Sequence, residues 1–205
     1  MKPGARRAST AIGILFAIGS SCFLVGPFPG YLQLVGSSAD GITFFVGSIF
    51  FTSAAFLQLV TTRLVGGGGA DWWAGGIQFA GTLFFNISTW EAMQKALDTA
   101  ATDRLVWRPD VYGSICFLVS SWIAYGAANG GYGRRLTRGT PTTIALVNLI
   151  GSIAFGFSAV AAYVVPSTGD ILALGASNFT TALGAACFLA GAILLLPAVS
   201  SRRRS

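Results

Sequence analysis

Six long apolar stretches alternate with short polar, glycine-rich or proline-rich gaps: Ala11–Phe28, Gly41–Thr62, Trp73–Met93, Pro109–Asn129, Thr142–Val165 and Ile171–Val199. A helix that crosses a bilayer needs about 20 mostly apolar residues, and each stretch is close to that length. The central part of each holds no Lys, Arg, Asp or Glu; the charges gather in the gaps. The helix breakers agree. Pro27 and Pro29 stop the first stretch, Gly66–Gly69 reads as a turn, and Pro166 and Pro197 fall at helix ends. Pro109 and Pro141 sit where a first helical turn tolerates proline. A transmembrane barrel would show alternating polarity over segments of about ten residues, but Ile144–Val165 and Ala182–Leu196 run apolar without alternation. The pattern predicts an all-α polytopic membrane bundle: six transmembrane helices as three hairpins, in one domain covering residues 1–205.

Composition narrows the class. Only 10% of the 205 residues are charged, against about 25% in an average soluble domain. That is too little charge to coat a water-facing surface. Lys2, Arg6 and Arg7 precede the first stretch, and Ile18-Gly19-Ser20-Ser21-Cys22 faintly suggests a lipoprotein cleavage site. The apolar run continues past Cys22, so the stretch is read as an uncleaved span.

The 13 basic residues give an orientation. With six alternating spans, Lys2, Arg6, Arg7, Arg63, Arg134, Arg135, Arg138 and Arg202–Arg204 share one side, leaving Lys95, Arg104 and Arg108 on the other. The positive-inside rule then puts both termini in the cytoplasm. Basic residues spread over separate short segments suit anionic lipid headgroups and not a nucleic acid.

A motif recurs in every stretch: glycine, a small residue, two variable residues and phenylalanine. It starts at Gly19, Gly47, Gly81, Gly113, Gly151 and Gly184 and ends at Phe23, Phe51, Phe85, Phe117, Phe155 and Phe188. The repetition suggests duplication of a two-helix hairpin. Lipid tails give helices no hydrophobic reason to associate, so small residues that let backbones approach supply the contact. The glycines are therefore read as packing residues, with a glycine-lined pore as the functional alternative. Cys22, Cys116 and Cys187 take the fourth motif position and read as buried small hydrophobes, without metal spacing.

The third stretch differs. Gln78, Thr82, Asn86 and Thr89 fall on one helical face. Such a stripe is either helix–helix glue, to which Gln58, Asn148 and Asn178 are candidate partners, or a path for a small solute. It leads into a charged segment containing Glu91, Lys95, Arg104, Trp107, Arg108 and Asp110. Within it, Ala92–Ala101 has helical composition and Glu91 and Lys95 have i,i+4 spacing. Arg108 suits a carboxylate or phosphate, Trp107 suits an interfacial belt, and Asp110 complements a helix N-terminus. The segment reads as a helix cap with an aromatic anchor, or as an external recognition site.

Catalytic chemistry is sparse. The chain has no histidine and no phosphate-binding glycine loop. Its spans carry no mid-membrane carboxylate for a proton relay. No enzyme activity, metal or cofactor is expected.

Trp107-Arg108-Pro109-Asp110, continuing through Gly113-Ser114-Ile115-Cys116-Phe117-Leu118-Val119-Ser120-Ser121, resembles a segment of small bacterial, often actinobacterial, membrane proteins of the YrhK-like kind. Phe85-Asn86 with Thr89, the run Asn148–Gly156, and Tyr163-Val164-Val165-Pro166 are similar to the same proteins. The resemblance implies a bacterial inner-membrane location and carries no assigned activity. The expected function is a non-enzymatic, multi-pass accessory or assembly component that packs with itself or another membrane complex. The alternative is a channel or transporter for a small neutral or anionic solute.

Overall fold

The computed structural model describes residues 3–64, 69–94, 97–133 and 139–196. The expectations for Lys2, Gly66–Gly68, Lys95, Arg134, Arg135, Arg138, Pro197–Val199 and Arg202–Arg204 lie outside those residues. The protein is all-helical. Its long helices are α1 (Pro3–Val25), α2 (Pro29–Leu64), α3 (Ala70–Ala92), α5 (Arg108–Asn129), α6 (Thr140–Ala161) and α7 (Leu174–Leu195). A short α4 (Thr99–Thr102) runs through a π-helical turn, Asp103–Trp107, into α5. Five segments are long and apolar enough to cross a membrane: α1, α2, the continuous 99–129 helix, α6 and α7. The exception is α3, whose apolar run is diluted by Gln78, Thr82, Asn86 and Thr89 and bounded by Asp71 and Glu91.

Several boundaries differ from the sequence reading, each for a local reason. The second helix starts at Pro29, not Gly41, because proline fits a first turn. It is broken at Gly36, whose φ of 79° and ψ of 162° a side chain would oppose. The Tyr31 hydroxyl lies 2.8 Å from Thr43 Oγ1. Twelve residues of straight helix would separate those positions by about 18 Å. Residues 29–35 therefore fold back along 37–43, and α2 is a short and a long helix joined by a reversal.

The fifth stretch leaves the helix at Ala161, and the sixth enters it only at Leu174. Between them Val164 bridges Ile171. Val165 N donates to Asp170 O and Leu172 N to Tyr163 O, both at 2.8 Å. The apolar residues 163–165 and 171–173 thus build a tight turn around Pro166–Gly169. Of the helix expected over Ala92–Ala101, Ala92 closes α3, residues 95–96 lie outside the described residues, and α4 starts at Thr99. The Asp98 carboxylate accepts from Ala101 N at 2.7 Å and fixes that start as an N-cap. At the far end of α5, Gly130 takes the left-handed conformation (φ 70°), and Gly131 N closes on Gly126 O at 2.9 Å.

The long helices close into a ring in chain order: α1 on α2, α2 on α3, α3 on α5, α5 on α6, α6 on α7, and α7 back on α1. Contact is most extensive within α1–α2, α3–α5 and α6–α7, so the ring consists of three antiparallel hairpins. Small and hydroxyl residues face inward, while Ile14, Phe56, Trp73, Trp122, Phe157 and Phe179 stand outward on different helices.

Candidate functional site

The repeated motif builds the centre of the ring. Within each hairpin, the glycine of one helix faces the motif phenylalanine of the other, reciprocally. A Cβ on Gly19 would stand 2.8 Å from the Phe51 ring, and one on Gly47 would stand 3.0 Å from Phe23. Gly81 faces Phe117 and Gly113 faces Phe85 in the second hairpin; Gly151 faces Phe188 and Gly184 faces Phe155 in the third. The Cβ atoms of Cys22, Cys116 and Cys187 press on Gly47, Gly81 and Gly151. What faces each motif glycine is thus a ring, backbone or cysteine Cβ of its hairpin partner.

The six phenylalanines meet in two stacked triangles. Phe23, Phe85 and Phe155, from α1, α3 and α6, have centroids 6.2–6.5 Å apart. Phe51, Phe117 and Phe188, from α2, α5 and α7, lie 5.5–6.1 Å apart. The layers are joined within each hairpin at 5.7, 5.0 and 5.5 Å. Nearly all are edge-to-face or tilted, the arrangement that ring quadrupoles favour. The second motif position, Ser20, Ser48, Thr82, Ser114, Ser152 and Ala185, is buried in all six helices. The hairpins therefore repeat with approximate threefold symmetry around an aromatic centre.

The polar face of α3 turns toward α2. Thr89 Oγ1 pairs with Ser48 Oγ at 3.0 Å and Thr52 Oγ1 donates to Asn86 Oδ1 at 3.2 Å. Thr82 donates to Phe79 O within its own helix, and Gln78 is half-buried. The stripe's partners are hydroxyls of α2, not the amides of Gln58, Asn148 and Asn178. Other hydroxyls join the helices from α5 to α7. Ser121 meets Ser152 at 2.8 Å between α5 and α6. Ser158 meets Ser177 and Thr181 at 3.2 and 2.5 Å between α6 and α7. The i,i+4 spacing of Ser177 and Thr181 was the available sequence signal for that cluster. Among the described residues, α1 makes no side-chain hydrogen bond to another helix. Ser20 Oγ is buried there without a partner.

Ser48 and Thr89 offer a direct test of the glue. In a double-mutant cycle of Ser48→Ala and Thr89→Val, the coupling energy should be about 0.6 kcal/mol and below about 1.7 kcal/mol, as for hydroxyl pairs between membrane helices. Unfolding in mixed micelles provides the measurement.

The charged segment is tied to the ring. Trp107 Nε1 donates to Ala159 O at 2.8 Å, and its ring meets Tyr163 edge-on at 4.9 Å. Arg108 pairs with Asp103 at 2.9 Å in the same segment, a partner one turn back that sequence reasoning passed over. Arg104 is exposed, Glu91 and Asp110 are half-buried, and Pro109 is buried. Trp107 thus fastens the 99–107 segment to the end of α6. Among the described residues, no three His, Cys, Asp or Glu side chains gather as a metal site would require.

No family model, curated protein or solved structure matches the chain.

Proposed function

We propose that the protein is a non-enzymatic integral membrane protein of the bacterial inner membrane, with six spans, cytoplasmic termini and a single domain. In this reading it is an accessory or assembly component similar to the YrhK-like proteins, and its repeated glycine–phenylalanine motif is a hairpin-packing device. The observation that carries it is the outer surface: hydroxyls and motif glycines are enclosed with the aromatic centre, while large apolar side chains also stand outward on every long helix. Lipid is the natural neighbour of such a surface. Because the motif glycines are occupied within the hairpins, association with a second copy or another membrane chain would use the outer faces. Ala186 and Ala190 of α7 are exposed there one turn apart, and a Cβ on Gly76 or Gly156 would meet nothing within 4 Å.

Extraction in mild detergent, followed by native mass spectrometry and identification of co-purifying chains, tests the reading. A stable homo-oligomer or a reproducible membrane partner is expected. A monomer without partners would remove the assembly role. The alternative, passage of a small neutral or anionic solute, draws on α3, the long helix least suited to plain lipid. Hydrogen bonds from Asn86 and Thr89 to α2 favour glue instead.

A further inference from the structure

We propose that residues 28–35, the tip of the first hairpin, seat in the lipid headgroup interface at the end of the ring opposite the termini. The proposal rests on the membrane-embedded reading above. Its starting point is the reversal at Gly36. Tyr31 hydrogen-bonds Thr43 across it and the Phe44 ring faces Gly26 at the end of α1, so 29–35 runs beside 37–43 beyond that end.

The tip is exposed and apolar. Leu34 is 82% exposed, and Phe28 and Leu32 are also exposed. These side chains continue a surface that begins on α1. Ile14, Ile18, Ser21 and Val25 are exposed at alternating steps of four and three residues, an outward stripe along α1, and Phe28 and Leu32 are exposed beyond the turn that ends it. No charged residue lies between Arg7 and Asp40. A partner surface recognised by charge has nothing to grip there, whereas exposed apolar side chains recur on both sides of the turn, as a lipid neighbour requires.

Length agrees. From Arg7 to Val35, the rise of α1 and the short helix is about 40 Å at 1.5 Å per residue. That matches a bilayer of about 40–45 Å with its headgroup regions, and exceeds the hydrocarbon core of about 30 Å. The first hairpin is therefore long enough to place Leu32 and Leu34 at the boundary of headgroups and acyl chains. Tyr31, half-buried with its hydroxyl engaged, suits the same depth.

The test uses the full chain in phosphatidylcholine vesicles. A nitroxide is attached at Leu34→Cys, with Cys22, Cys116 and Cys187 each replaced by Ala. Matching labels at Ile14→Cys and Ser167→Cys report mid-span lipid and the polar turn between α6 and α7. Collisions with oxygen should dominate at positions 14 and 34. The water-soluble nickel chelate should reach position 34 about fivefold less than position 167. Equal chelate access at 34 and 167, with 14 still in lipid, overturns the tip proposal alone. Chelate access at 14 as well overturns the membrane reading. A label at 34 closed to both reagents means contact with a second copy and also overturns the proposal. Leu34→Trp, with the native cysteines kept, repeats the test through quenching by shallow-brominated phosphatidylcholine. Loss of the added emission supports the seat, and unquenched emission overturns it.

Discussion

Replacing Phe117 with alanine should destabilise the ring by about 3–5 kcal/mol, the usual cost of truncating a fully packed aromatic side chain. Phe117 is 2% exposed and touches the rings of Phe51, Phe85, Phe155 and Phe188 at 5.0–6.4 Å. Its removal opens a void shared by all three hairpins. The neighbouring rings are each pinned against a glycine across their own hairpin, so they cannot collapse into the space. Phe157 is the control: it lies on the outer surface, 65% exposed, and Phe157→Ala should change stability by less than about 0.5 kcal/mol. Unfolding in mixed micelles, followed by tryptophan emission, gives both values. Equal effects at the two positions would mean that the aromatic centre does not hold the ring.

Two glycines of α3 should respond in opposite ways to the same substitution. Gly81→Ala introduces a Cβ 2.8 Å from the Phe117 ring and 2.9 Å from Cys116 Cβ. Neither neighbour can retreat, since Phe117 is enclosed by four rings. Overpacking of this kind costs about 1–3 kcal/mol. Gly76→Ala, one turn and a half earlier, meets nothing within 4 Å. There alanine should be neutral or stabilise by up to about 1 kcal/mol, because glycine is the poorer helix former. Phe117→Leu should recover part of the loss in Gly81→Ala while being damaging alone. Thermal unfolding of the four variants in one detergent distinguishes close helix contact from a general dislike of substitution in α3.

The helices were legible because apolar length and prolines act locally. The motif was legible as packing because its spacing places glycine and phenylalanine on one helical face. The meeting of six phenylalanines as two triangles was not legible, since it depends on which helices adjoin, and many ring orders share the same spacing. The partners of Asn86 and Thr89 were hidden for the same reason. Gln58, Asn148 and Asn178 are the candidate partners by residue type, but Ser48 and Thr52 are the groups that the α2–α3 contact brings within reach. The fold-back at Gly36 escaped notice because Pro29, Gly30 and Gly36 together look like a plain loop; only the Tyr31–Thr43 bond reveals two short antiparallel runs. Arg108 looked free to clamp a ligand because Asp103 was not expected to share a continuous helix with it.

The α1–α7 seam has a consequence for synthesis. Translation delivers α1 first and α7 last, so a nascent chain carrying only five long helices is an open arc, not a circle. On that arc the notch at Gly13, which Leu196 and Ala192 fill in the finished protein, is uncovered. The aromatic stack then lacks Phe188, the ring that touches Phe51, Phe117 and Phe155. Among the described residues no hydroxyl partner on another helix holds α1, and its packing there is one of shape. Of the six long helices, α1 is thus made before the others yet enclosed only at the end, and the arrival of α7 is the event that locks it.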